Sequence, residues 1–216
     1  MHKNVANLIA IENLLKKKTN KDRIPKIIAV SKTFTMLDII PLIKHGHVNF
    51  GENKIQEAMD KWSSIKNEDT NIKLHMIGKL QTNKVKVAVR LFDFIHSVDS
   101  EKLAKKIAEE QAKIKRNVKI FIQVNIGNEI QKSGIDQSAI QNLILFCKDL
   151  GLDVIGLMCI PPANFDPTDY FKKMNEINNS IDLNELSMGM SSDYLEAARN
   201  NSTYLRIGSS IFGRRS

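Results

Sequence analysis

VKIFIQVN, at Val118–Asn125, is the stretch on which the fold turns. Ile120, Phe121 and Ile122 are consecutive and apolar, so a strand here would bury both of its faces rather than one. A polar loop follows, then a helical pattern over Gln137–Leu150 that Gly151 ends, and then a second apolar run, LDVIGLMCI, at Leu152–Ile160. Two doubly buried strands joined through a helix form a parallel crossover unit.

The same unit recurs on both sides. Upstream lie IIAVS (Ile27–Ser31) with a helix over Met36–His45, HVNFG (His47–Gly51) with a helix over Asn53–Ile65, KLHMIG (Lys73–Gly78) with a helix near Asn83–Leu91, and DFIHS (Asp93–Ser97) with a helix over Ser100–Lys115, capped by Asp99 or Ser100. Downstream lie a helix over Thr168–Asn179, ELSMG (Glu185–Gly189) with a short helix near Asp193–Asn200, and YLRIGSSIFG (Tyr204–Gly213). Eight strands alternating with helices specify an α/β protein, a (β/α)8 TIM barrel, with an extra N-terminal helix over residues 1–20. No Pro-, Gly- or Ser-rich linker interrupts the pattern, so a single domain over 1–216 is expected. An open, doubly wound sheet is the competing topology; the lack of Gly-x-Gly-x-x-Gly after the first strand weakens its dinucleotide-binding form.

Composition removes other classes. The 216 residues are 42% hydrophobic and 26% charged, as in an ordinary globular protein. The apolar runs fall far short of the roughly 20 residues that span a bilayer. The N-terminus has helically spaced apolar residues broken by Asn and Glu, unlike a signal peptide. A cytoplasmic protein without a membrane segment is expected. Two cysteines, Cys147 and Cys159, give neither a disulfide framework nor a zinc site. The net charge of +8 would suit nucleic acid, but the lysines are scattered and aromatics are only 6%, so solvated helix faces account for it better. His75 and His96 fall in different strands with no carboxylate at ligand spacing, which makes them structural rather than metal-binding. Cys159 reads as a buried thiol and Trp62 as a helix anchor.

In such a barrel the chemistry sits where strands end. The first strand ends in Ser31-Lys32-Thr33. A lysine emerging from an apolar strand is either snorkelling to water or a desolvated amine able to attack a carbonyl. Strands seven and eight run into Met188-Gly189-Met190-Ser191-Ser192 and Arg206-Ile207-Gly208-Ser209-Ser210, each offering Gly, backbone N–H groups and hydroxyls of the kind that cradle phosphate. A strand-end lysine opposite two phosphate-type loops points to a phosphorylated aldehyde, pyridoxal 5′-phosphate (PLP).

AVSKT (Ala29–Thr33), FGEN (Phe50–Asn53) with Gln56-Glu57, HMIGKLQTNK (His75–Lys84), Lys132-Ser133-Gly134, GLMCIPP (Gly156–Pro162), LSMGMSSD (Leu186–Asp193) and RIGSSIFG (Arg206–Gly213) together resemble the YggS/PROSC family of pyridoxal-phosphate homeostasis proteins. That resemblance implies a barrel like the N-terminal domain of alanine racemase without the second, β-rich domain, since Gly213 stands three residues from the end. It also implies roles: Lys32 forms the internal aldimine, Asn53 lies beside the cofactor ring, Ser191, Gly208 and Ser209 hold the phosphate, and Arg206 faces the pyridine nitrogen. Phe34-Thr35 departs from the Lys-Pro pair of many relatives, and Ser192 and Ser209 replace a common Asp and Thr. The function implied is intracellular PLP homeostasis, in which the chain, as a monomer, binds and buffers the cofactor and passes it to apo PLP-dependent enzymes. No committed catalysis is expected; the alternative is a racemase-like enzyme of low activity. Asn83, Lys84 and Lys132 have no role assignable from spacing, although the first two could reach the barrel mouth.

Overall fold

The computed structural model describes residues 1–19, 24–68 and 71–213. Eight parallel strands close in sequence order into a barrel: β1 Lys26–Val30, β2 Asn49–Glu52, β3 Lys73–Met76, β4 Phe94–Val98, β5 Lys119–Val124, β6 Asp153–Cys159, β7 Glu185–Met190 and β8 Tyr204–Ile207. The open-sheet alternative is excluded by the pairing of β1 with β8, in which Ile28 lies opposite Arg206 and Ala29 opposite Ile207. Helices α2 Met36–Lys44, α3 Ile55–Glu68, α4 Val85–Leu91, α5 Glu101–Lys113, α6 Ile140–Asp149, α7 Thr168–Ser180 and α8 Tyr194–Arg199 connect successive strands, and α9 Ser209–Phe212 follows the last. The extra N-terminal helix, α1, spans Lys3–Lys18 rather than 1–20; Thr19 caps it, and residue 20 lies outside the described residues. Asn4 Nδ2 donates to Asp38 O (3.0 Å) and Asn7 Nδ2 to Ile211 O (2.8 Å), fastening α1 to α2 and α9.

Relative to the sequence expectation, α6 starts three residues late, behind a 3-10 turn at Gln137–Ala139, α3 ends three residues late, and β2 starts two residues late. The end of α2 explains the last of these. Gly46 (φ +94°) lets its own N–H reach Ile43 O and the His47 N–H reach Leu42 O, so His47 belongs to the helix terminus and not to the strand. Ser100, not Asp99, caps α5: its Oγ accepts the Leu103 N–H at 3.3 Å.

The strands are apolar on both sides because two cores meet there. The larger lies between the strands and the helix shell and includes Ile39, Leu42, Trp62, Leu103 and Phe171, all nearly or fully buried. The smaller joins Ile28, Phe94, Phe121, Met158 and Tyr204, one residue from each of five strands, and fills the barrel itself. Two imidazoles are packed into this inner core, His75 stacked on Phe94 (4.3 Å between centroids) and His96 stacked on Phe121 (4.2 Å). Both are fully buried, as structural histidines should be. No group of three or more metal-ligating side chains occurs among the described residues, and no helix among them is long and apolar enough to cross a membrane.

Burial, reinforced by neighbouring positive charge, holds His75 and His96 well below the usual histidine value of 6.5, and burial also lowers His47 to about 4. Between those values and 6.5 the unfolded chain binds protons that the native chain refuses. The stabilisation is therefore fully present above about pH 6.5 and declines as the pH falls, by about 1.4 kcal/mol per pH unit for each histidine. Urea unfolding midpoints should fall steadily from pH 7 to pH 5, and a midpoint that rises or stays level over that interval contradicts this account.

Candidate functional site

The C-terminal ends of the strands surround a cavity of about 760 Å³, within the usual range for a small-molecule site. Lys32, Asn53, Ser191, Arg206, Gly208 and Ser209 all contribute to its wall. Asn83 and Lys84 do not. They form a 3-10 turn ahead of α4, outside this cavity. Lys132 does line the cavity, with its Nζ at 2.5 Å from Glu129 Oε2 and 3.2 Å from Pro161 O. Lys79 is also in the wall, whereas Tyr170, Tyr194 and Tyr204 are not.

Lys32 is half-buried in the turn that follows Ser31. That turn is held from behind by a cluster that no sequence spacing disclosed. Glu52, at the end of β2, is fully buried, and its Oε1 accepts from Ser31 Oγ (2.7 Å) and Trp62 Nε1 (3.0 Å) while pairing with Lys61 Nζ (2.8 Å). The same ammonium donates to Ser31 O (2.8 Å) and bridges to Glu57 Oε1 (2.8 Å), which also accepts the Thr33 N–H. Thr33 has φ +69°, a left-handed conformation costly for a β-branched residue, and the Glu57 carboxylate holds it there. Burial alone would push the Glu57 carboxyl up; the hydrogen bonds from Lys61 and Thr33 and the charges of Lys61 and Lys54 outweigh it and hold the group below its usual value. Phe34 stacks on Phe212 at 4.7 Å and so ties the Lys32 turn to α9.

Arg206 is 4% exposed. Its Nη1 donates to Ser187 Oγ (2.7 Å) and its Nη2 to Cys159 O (2.8 Å), both neutral acceptors. Among the described residues no carboxylate pairs with it. Burial lowers its pKa, but a guanidinium remains charged at any ordinary pH. The charge of Asp193 offsets only part of the burial cost, and Arg206, with no ion pair among the described residues, faces the cavity from which a further acceptor or anion can come. Cys159, whose carbonyl holds Arg206, has its own thiol pushed up to about 12 by burial, so it is no nucleophile.

Beside the Lys32 strand, the loops after β7 and β8 meet through one hydroxyl. Ser191 Oγ accepts the N–H groups of Gly208 (3.2 Å) and Ser210 (3.3 Å), both long bonds. Two backbone donors thus converge on a single oxygen, and an anionic oxygen would compete for them as the stronger acceptor. A break in the β7–β8 register between Ser187 and Met190 aims this segment at the cavity. Asn53 adds a buried Oδ1 with no hydrogen-bond partner. The donor set and the unsatisfied groups therefore fit PLP: a cradle for phosphate, a guanidinium for a ring acceptor, an amine for an aldehyde, and apolar lining from Ile77 and Ile160.

The chain matches the profile of the alanine racemase N-terminal domain over residues 6–216. It is 35% identical over 200 residues to the pyridoxal phosphate homeostasis protein of Aquifex aeolicus, covering 88% of this chain and 87% of that one. It is 34% identical over 222 residues to the protein of the same name from Haemophilus influenzae, covering 95% and 91%. Of solved structures, PipY of Synechococcus elongatus PCC7942 with PLP bound superposes with a TM-score of 0.86 at 29% identity, over 97% of this chain and 100% of that one. Alanine racemase of Clostridium difficile superposes with a TM-score of 0.77 at 15% identity, covering 99% of this chain and 57% of the racemase, a likeness of fold alone.

The cluster behind Lys32 makes a stability prediction. Lys61→Met leaves the Glu52 charge buried without its partner and should cost about 3–5 kcal/mol in urea unfolding. Adding Glu52→Gln should recover most of that loss, because the neutral amide keeps an acceptor for Trp62 and Ser31. A double variant no more stable than Lys61→Met would show that burial of the Glu52 charge is not the source of the cost.

Proposed function

The chain belongs to the pyridoxal phosphate homeostasis protein family, built on the alanine racemase N-terminal barrel, and from that premise we propose that it binds and buffers PLP and passes it to apo enzymes without a committed reaction of its own. The observation that carries this reading is the meeting of Lys32, Arg206 and the Ser191/Gly208 loops around one cavity. When bound, the cofactor supplies an aldehyde that a lysine amine captures with loss of water. Lys32 offers that amine from a turn braced by Glu57 and Lys61. Ser191, Gly208 and Ser209 hold the phosphate, and Asn53 lies beside the ring.

Arg206 supports the non-enzymatic half of the proposal. It can donate to the ring nitrogen but cannot accept a proton from it, and its charge disfavours protonation of the atom it faces. A neutral ring withdraws electrons from a carbanion poorly. Among the described residues the ionisable side chains of the wall are Lys32, Lys79, Lys132 and Arg206, all basic, with no tyrosine, histidine or carboxylate among them to form an acid–base pair of the usual kind. The racemase-like alternative would need one of these lysines as its second base. We read the chain as a cytoplasmic monomer.

Lys32→Ala should fold normally yet lose the yellow colour that borohydride removes from the PLP-loaded protein. In the unmodified protein, peptide mapping after borohydride should place the label on Lys32; a label on Lys79 or Lys132 would reassign the site. Exchange of the α-proton of added amino acids in deuterated water should stay near the level of free PLP. Sustained turnover well above that level would replace this reading with the racemase-like one.

A further inference from the structure

We infer that Ser187 and His96 are positioning residues for Arg206, joined to His75 and Asn49 in a hydrogen-bond relay that runs the length of the barrel interior in one fixed direction. The chain of contacts is continuous: Arg206 Nη1 to Ser187 Oγ (2.7 Å), Ser187 Oγ to His96 Nδ1 (2.8 Å), His96 Nε2 to His75 Nδ1 (2.9 Å), and His75 Nε2 to Asn49 Oδ1 (3.2 Å). One end lines the cavity at the barrel mouth. The other, Asn49, lines a separate cavity of about 300 Å³ beside Lys26 and His47. Its links come from five segments of chain, β8, β7, β4, β3 and β2.

The direction follows from what each group can do. A guanidinium only donates, so Ser187 Oγ accepts from Arg206. The Ser187 hydroxyl is fully buried, and its remaining hydrogen-bond contact is His96 Nδ1, so its proton goes there. His96 must then carry its proton on Nε2 and donate to His75 Nδ1. His75 in turn carries its proton on Nε2 and donates to the Asn49 carbonyl oxygen. The reverse order would strand the buried Ser187 proton without an acceptor and turn the Asn49 amide around. An unmade buried bond costs more than a made one contributes, so the first direction wins.

Two consequences bear on Arg206. Each ring–ring and ring–hydroxyl contact holds one proton, so a further proton on either imidazole would set two donors against each other. The charged and titratable neighbours point the same way: Arg206 and His75 face His96, Lys26, Lys66 and His47 face His75, and the ring of Tyr204 contacts both, with no carboxylate against either ring among the described residues. The relay therefore admits no second positive charge beside Arg206. It also fixes the guanidinium through Ser187 on one side while Cys159 O fixes it on the other, leaving the remaining donors for the cavity. The statement about the cofactor rests on the PLP-binding reading above; the tautomers do not.

Two-bond proton–nitrogen correlation spectra of the unloaded 216-residue chain test the relay without any ligand. His75 and His96 should both appear as neutral Nε2–H tautomers from pH 8 to pH 5.5. A His96 protonated on Nδ1, or charged at pH 6, overturns the proposal. In Ser187→Ala, His96 loses the donor that fixes its tautomer and should become a mixture, and PLP should dissociate about fivefold more readily as Arg206 loses its anchor. An unchanged His96 tautomer or unchanged PLP affinity in that variant refutes the positioning role. If the unmodified chain binds no PLP at all, the functional reading fails, while the tautomers of the unmodified chain still decide the relay.

Discussion

The parallel pairing of β1 with β8 makes the rest possible. With Ile28 opposite Arg206 and Ala29 opposite Ile207, the chain reaches Lys32 on one strand and Gly208 on its neighbour at the same end of the barrel. Side chains alternate between the barrel interior and the helix shell, so a slip of one residue would carry Arg206 out of the interior and into the outer core, away from Ser187 and Cys159. Closure also makes all eight strand ends face one mouth. The cavity is therefore a product of register, not of any one loop.

Charge is distributed around that cavity by layer. The wall carries Lys32, Lys79, Lys132 and Arg206, while Glu52 and Glu57 sit behind the Lys32 turn, bound to Lys61. Carboxylates that brace the turn are thereby kept from neutralising the mouth. A concave site lined by one sign of charge draws in ligands of the other, a phosphate dianion being one such ligand. The bracing has a cost, since Glu52 and Lys61 lose most of their hydration and Glu52 Oε2 is buried without a hydrogen-bond partner, while the three contacts to Oε1 fix the geometry. What the arrangement secures is position: a lysine held in a strained turn, pointing where two loops already present donors.

The inner core shows the same economy of neutral and charged groups. One aromatic ring stacks on each imidazole of the pair, and its polar atoms are satisfied because each bonds to the next. The single buried cation of this set, Arg206, lies at the cavity end. Apolar packing and polar satisfaction thus coincide in one column of side chains.

Much of this was legible in the sequence. Doubly apolar strands such as VKIFIQVN and IIAVS, alternating with amphipathic helices, specified eight crossover units, and Gly46 and Gly151 marked helix ends, because burial and backbone conformation leave a local periodic trace. The motifs at Lys32, Asn53, Ser191 and Arg206–Ser209 were likewise contiguous and could be read as strand ends. The start of β2 was misplaced by two residues because the helix terminus recruits His47 through a bond that apolar patterning does not record. The ion pair of Glu52 with Lys61 and the column Asn49–His75–His96–Ser187–Arg206 left no signal at all: their members are separated by up to 91 residues between hydrogen-bonded neighbours. Spacing along the chain governs which face a residue occupies; which residues of different strands share a proton is set only when the barrel closes and its register is fixed.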